Sequence, residues 1–298
     1  MKQRAAPRAI PGAALLFYKR CSGTNYKQRR NVSMQLEYYH VDSFTTEQFK
    51  GNPAGVCLLK EDLPDAVLLG ISRENGLAET AFLKKSGNNY GIRWFTPDIE
   101  MDLCGHATLA SAYVIKKFFE PESTRVLFTS ASGELAVTFD GQLLRMDFPG
   151  RMPVPAGLPE EIFGSLSIKP ASVYKSRDYV LLYESEDDVR NLTVDRIMFD
   201  KVNLGPGGVC VTAEGRSFDF VSRFFTPQST ILEDPVTGSA HCSLIPFWSE
   251  RFGKRKMTAQ QLSERSGILY CENGQNERVV IAGNARLYSR GVLEIDMQ

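Results

Sequence analysis

Four side chains in this sequence have the type and setting for proton chemistry: Glu79, Cys104, His106 and Asp234. Glu79 stands in Glu79-Thr80-Ala81-Phe82, at the head of an apolar run. A carboxylate among apolar neighbours loses hydration and tends towards a raised pKa, which suits a general acid or base near neutral pH. At a wet strand edge the same residue is ordinary. Cys104-Gly105-His106 opens an apolar helical pattern. A helix start offers free N–H groups and partial positive charge, so it can hold a carboxylate or a developing oxyanion. His106 could donate a proton there or simply cap the helix. Glu233-Asp234-Pro235-Val236-Thr237-Gly238-Ser239 opens a second such helix. Gly238 and Ser239 would expose N–H groups to an anion, while Asp234 could orient or pass a proton, or serve as a plain cap. Cys104 is either a thiol activated by its helix N-terminus or a small packing residue. His241, inside the second helix, reads as a packed histidine.

The elements that must position these groups are written twice. Arg93 opens RWFTPDIEMDLCGHATLASAYV and Arg223 opens RFFTPQSTILEDPVTGSAHCSL. Aligned without gaps, Cys104 falls opposite Asp234. A second echo pairs PAGVCL from Pro53 with PGGVCV from Pro206. Two matches in one order point to a duplicated half-chain, with chance similarity between two strand-turn-helix units as the competing explanation. In a duplicated chain the two special loops would face one cleft between similar lobes.

Strands are predicted in the first half at 36–44, 54–59, 79–83, 90–95, 126–129, 134–139 and 143–147. The second half adds 179–183, 208–213, 218–225, 278–282 and 292–295. Helices are predicted at 64–75, 105–119, 159–163 and 239–252, the last kinked by Pro246. Prolines crowd 148–159, the candidate link between lobes. The fold class is therefore α+β: two pseudo-symmetric lobes, 34–148 and 149–298. Each is a curved, mostly antiparallel sheet wrapped on one buried helix. The last strand is free to return to the N-terminal lobe.

Composition excludes several function classes. Lys+Arg and Asp+Glu balance at 35 each, so nucleic acid is not a default partner. No apolar run is long enough to span a membrane. Six scattered cysteines without a C-x-x-C pair suggest reduced thiols and a cytoplasmic compartment. No Cys/His spacing resembles a zinc site, and neither a Walker loop nor G-x-G-x-x-G is present. No metal or cofactor is expected. Residues 1–33 stand apart, with Lys2, Arg4, Arg8, Lys19, Arg20, Lys27, Arg29 and Arg30 and no acidic residue. They read as a start-site extension with Met34 the true start, a transit-like presequence, or a disordered basic tail.

Taken together, GNPAGVCLL, ENGLAETAFL, RWFTPDIEMDLCGHATLASA and EDPVTGSAH resemble the PhzF-like family of phenazine biosynthesis-like domain proteins, from about Met34 to the C-terminus. The resemblance implies a diaminopimelate epimerase-like fold and a cofactor-free isomerase, usually a homodimer, acting on a small-molecule carboxylate. It places the family's catalytic glutamate on Glu79, its Gly-His pair on Gly105-His106 and its aspartate on Asp234. In the phenazine enzyme the glutamate moves a proton between carbons of a dihydro-hydroxyanthranilate ring. Related epimerases use two cysteines, and this chain has Asp234 opposite Cys104 in the gapless alignment, which weakens an amino-acid racemase reading. A non-catalytic binding member of the family and a Cys104-dependent racemase or epimerase remain the alternatives.

Overall fold

A computed structural model describes residues 32–297. Nearly all of the predicted basic leader lies outside the described residues. Val32 and Ser33 already belong to a strand, pairing with Met297 and Asp296.

Two copies of one topological unit follow each other along the chain. The first contains β1 (Val32–Ser43), β2 (Asn52–Leu59), α1 (Asp65–Asn75), β3 (Glu79–Ser86), β4 (Asn89–Phe95), β5 (Glu100–Met101) and α2 (Gly105–Val114). It closes with β6 (Arg125–Ser130), β7 (Gly133–Asp140), β8 (Leu143–Pro149) and β9 (Val154–Pro155). After α3 (Glu160–Ser165) the second contains β10 (Ser172–Lys175), β11 (Tyr179–Leu182), α4 (Glu186–Asn191), α5 (Arg196–Phe199), β12 (Val209–Glu214), β13 (Phe220–Phe225), β14 (Glu233–Asp234) and α6 (Gly238–Phe252). It closes with β15 (Lys256–Gln261), β16 (Gly267–Asn273), β17 (Arg278–Gly283) and β18 (Ala285–Met297).

The pairings repeat as well. β2 runs parallel to β3, as β11 does to β12. β3–β4 and β12–β13 are antiparallel. β4 then runs parallel to β6, as β13 does to β15. Each unit's last strand crosses over: β9 pairs with β10 and β18 with β1. β8 and β17 pair antiparallel and join the two sheets.

This topology corrects two details of the sequence alignment. The PAGVCL strand is β2, whose counterpart is β11, whereas PGGVCV enters β12, the counterpart of β3. That echo is therefore a coincidence of two parallel core strands with similar composition. The first echo is real, but its gapless extension slips. Trp94 pairs with Met101 where Phe224 pairs with Asp234, and α2 begins at Gly105 where α6 begins at Gly238. Asp234 thus matches Met101, and the residue matching Cys104 is Thr237. The second copy carries three extra residues in the loop after its Thr-Pro.

Each sheet wraps one helix that is apolar nearly all round, and such helices are buried on most sides. In α2 every residue from Ala107 to Ala112 is buried; in α6 the buried run is Ala240 to Ser249. α2 is shorter than predicted, ending at Val114 and widening into a π turn at Ile115–Phe119. Pro246 sits inside α6 without ending it. Proline cannot donate to the carbonyl four residues back, so the Cys242 carbonyl is free. It accepts the Arg151 N–H at 2.8 Å, tying the proline-rich connector to the helix. β15 and β16 went unpredicted because Lys256, Gln260 and Gln261 leave β15 weakly apolar, while Ile268 to Cys271 of β16 is an apolar run without alternation.

Candidate active site

The four chemically suited residues do not all meet on equal terms. Glu79 is the first residue of β3, in register with Ala54 of β2. His106 is the second residue of α2, and its backbone carbonyl accepts the Ser43 hydroxyl at 2.7 Å. The two side chains touch, with His106 Nε2 3.1 Å from Glu79 Oε2. Cys104 Sγ lies 3.5 Å from His106 Nδ1. Asp234, on β14, stands one residue beyond.

That intervening residue is Asn52, which the sequence offers only as part of the GNPAGVCLL motif. Fully buried at the start of β2, it donates from Nδ2 to Asp234 Oδ1 at 2.7 Å and to the Val236 carbonyl at 2.9 Å. Its Nδ2 also lies 3.2 Å from His106 Nδ1. An amide nitrogen carries two hydrogens, and Asp234 and Val236 take both. Asn52 thereby bridges the two copies, while His106 turns its Nε2 to Glu79. Its signal in the sequence was the pattern Gly-Asn-Pro: Gly51 adopts φ +69°, which leaves the next residue to enter the site.

Asp234 is fixed from both sides. The Thr237 hydroxyl donates to its Oδ2 at 2.5 Å, and Gln261, buried on β15, donates to its backbone carbonyl at 2.7 Å. Gln261 also accepts the Thr237 N–H at 2.8 Å. Thr237 is the N-cap of α6 but makes no side-chain capping bond, because its hydroxyl is spent on Asp234. The helix N–H groups at Gly238 and Ser239 remain free of a side-chain cap.

The two helix starts come together. A Cβ built on Gly105 would lie 3.7 Å from Gly238 Cα, and the converse distance is also 3.7 Å. The two positive helix ends thus meet at one point, close enough that a Cβ on either glycine would be in van der Waals contact with the other. Arg177, a further residue missed in the sequence, donates to Ser239 Oγ at 2.9 Å while paired with buried Asp178 at 2.8 Å. It adds a cation beside the start of α6. His241 is excluded from the site: it donates from Nδ1 to the Thr237 carbonyl at 2.8 Å, and burial pushes its pKa down to about 4.

The electrostatics follow from this crowding. Burial opposes the His106 imidazolium, but the acidic groups of Cys104 and Glu79 beside it prevail and raise its pKa well above the ordinary histidine value. Burial, with Glu79 nearby, raises the Cys104 thiol, so the helix N-terminus does not activate it. Iodoacetamide at pH 7.5 followed by peptide mapping should therefore leave Cys104 unmodified in the native protein and label it only after unfolding.

Burial also raises Asp234, with Glu79 adding to it and His106, Thr237 and Asn52 opposing. A raised folded-state pKa means that the folded protein binds more protons than the unfolded chain. Stability from this group is thus full below its ordinary value of 3.8 and is lost as pH rises through the folded value. Asp234→Asn removes that loss. The difference in Tm, variant minus wild type, should become more positive from pH 4 to pH 7; a difference that falls over this range would contradict the assignment.

Fold and site together define a class: two-lobed proteins of the epimerase-like fold. The hydroxyproline epimerase of Agrobacterium vitis shares the fold at TM-score 0.58 and 9% identity, over 88% of this chain and 93% of that one. Within that class the chain belongs to the phenazine biosynthesis-like protein family, PhzC-PhzF, whose model matches residues 41–291. A phenazine biosynthesis PhzC/PhzF protein from Clostridium difficile superposes at TM-score 0.82 with 47% identity, covering 87% of this chain and 100% of that one. A protein of Pseudomonas aeruginosa named an uncharacterized isomerase is 44% identical over 263 residues, 88% of this chain and 100% of its own length. No helix among the described residues is long and apolar enough to cross a membrane.

Proposed function

We propose that the chain is a cofactor-independent isomerase that moves a proton between carbons of a small carboxylated substrate. The observation that carries this reading is the Glu79–His106 contact at 3.1 Å, beside the meeting point of two helix N-termini. The isomerase names of relatives such as the Pseudomonas protein agree with it.

In this scheme the substrate carboxylate sits against the N–H groups of Gly238 and Ser239, with Arg177 adding charge. Glu79 takes a proton from a carbon next to a conjugated or carboxyl-stabilised position. The electron pair left behind delocalises onto oxygen, where the Gly105 and His106 N–H groups steady it. Glu79, now the acid, returns the proton to a different carbon, so neither protons nor electrons are gained or lost overall. His106 Nε2–H holds the carboxylate in line throughout. Asp234 orients this assembly: the amide of Asn52, which does not conduct protons, separates it from His106. Enclosure between the lobes keeps water from the carbanion-like intermediate.

A two-thiol racemisation gains nothing from the structure, since Thr237 stands where the second cysteine would be. The assembly we propose is a homodimer, to be read by light scattering. The reaction is tested by mass-spectrometric solvent-deuterium uptake across amino acids and cyclic dihydro-anthranilate-like or β-hydroxy acids. Catalysed uptake into a cyclic or unsaturated acid supports the proposal; uptake confined to the α-carbon of amino acids points to racemisation and overturns it.

A further inference from the structure

A cavity of about 360 Å³ opens at the far end of α2 from His106, roughly 10 Å along the helix axis. Its volume is within the range of small-molecule sites. Tyr113, Lys116 and Lys117 line it from α2 and the π turn that follows. Spaced three and four residues apart, they share one helix face. Phe139 and Leu144 line it from β7 and β8, where they stand opposite each other across the hairpin and so share one sheet face. Arg286 of β18 closes the rim from the second copy. Asn284 Nδ2 holds the hairpin in place, donating to the Gln142 carbonyl at 3.1 Å.

The lining carries three cations and no acidic side chain. Among the described residues Lys116, Lys117 and Arg286 form no ion pair. Lys116 is held by the Pro121 and Ser123 carbonyls, its ammonium 5.4 Å from the centre of the Phe139 ring. Lys117 donates to the Tyr113 hydroxyl at 2.8 Å, which leaves the tyrosine's own proton for another acceptor. Uncompensated cations above two rings, over an apolar floor at Leu144, suit a ring that bears an anionic group. We propose that this cavity binds a small aromatic carboxylate, its ring against Phe139 and Tyr113 and its acid group at Lys117 and Arg286. The site shares no residue with the proton-transfer site, and its occupancy does not depend on the proposed reaction.

The experiment is isothermal titration calorimetry of the full chain with 1-naphthoate, with 2-naphthylmethanol as the uncharged comparator. The expected result is one equivalent of naphthoate bound in the wild type and in Arg177→Gln, whose change falls beside the start of α6. Affinity should fall as salt rises, and the alcohol should bind about tenfold more weakly or not at all. Lys117→Glu combined with Arg286→Glu should weaken naphthoate about tenfold or more. Both side chains are exposed, so the variant should fold, which circular dichroism checks. No naphthoate binding, or binding that survives the double charge reversal, overturns the proposal. Binding lost in Arg177→Gln but kept in the double variant would place the ligand in the proton-transfer site and overturn it equally. Equal affinity for the alcohol would overturn the preference for an anion, and the proposal with it.

Discussion

Glu79→Gln should reduce catalysed deuterium uptake by about 10²- to 10⁴-fold, the range that a positioned general acid or base contributes. The substitution keeps the shape of the side chain and its place at the head of β3, and an amide oxygen still accepts from His106 Nε2–H. What disappears is the capacity to take and return a proton. Substrate binding should change little, because the anchoring groups assigned here, Gly238, Ser239 and Arg177, belong to the other copy. Steady-state kinetics on a confirmed substrate should therefore show the loss in kcat with KM nearly unchanged. A loss confined to KM would recast Glu79 as a binding residue.

The largest effect on stability is expected at Phe44. Its side chain is fully buried, and its ring ends near the site, 3.8 Å from where a Cβ on Gly238 would be. The close approach of the ring explains Gly283, where a Cβ would fall 2.4 Å from Phe44 Cδ1. The backbone of Phe44, in the first copy, is tied twice to the second, donating to the Asn284 carbonyl at 2.7 Å and accepting from the Ile268 N–H at 2.9 Å. Truncating a buried phenylalanine to alanine costs about 3–5 kcal/mol, a large share of the roughly 5–15 kcal/mol that holds a typical domain folded. One further sign separates packing from backbone strain. Phe44 has φ +63°, which glycine adopts freely and alanine does not, at about 1 kcal/mol. Phe44→Gly should therefore melt above Phe44→Ala in urea or heat. The reverse order would show that the turn is not strained.

Much of this arrangement was legible in the sequence, and the failures have physical causes. Glu79, Gly105, His106, Asp234, Gly238 and Ser239 were picked out because each stands at the head of a strand or helix, where turn chemistry is readable. Asn52, Gln261 and Arg177 were not, because each acts through a contact between segments far apart in the chain. Nothing local distinguishes a bridging asparagine from a turn asparagine. The two apolar helices and the doubling of the fold were visible through the Arg93 and Arg223 motifs. The equivalence of individual residues was not, since the longer loop before α6 slips any ungapped alignment. That slip had consequences for chemistry: it set Asp234 against Cys104, whereas the sheet register sets Thr237 there. The sequence left Cys104 open between an activated thiol and a packing residue, and its surroundings favour the second. A helix N-terminus lowers a thiol pKa only where burial and a neighbouring carboxylate do not outweigh it, and at Cys104 both do.

The central claim is that a carboxylate, and not the thiol beside it, moves the proton. It is tested most directly by measuring deuterium uptake with Glu79→Gln and Cys104→Ser side by side on one substrate, with folding of each checked by circular dichroism. The account predicts that Cys104→Ser keeps uptake within a few-fold of wild type while Glu79→Gln loses it. Uptake that survives Glu79→Gln and disappears with Cys104→Ser would contradict the account and make the thiol the base.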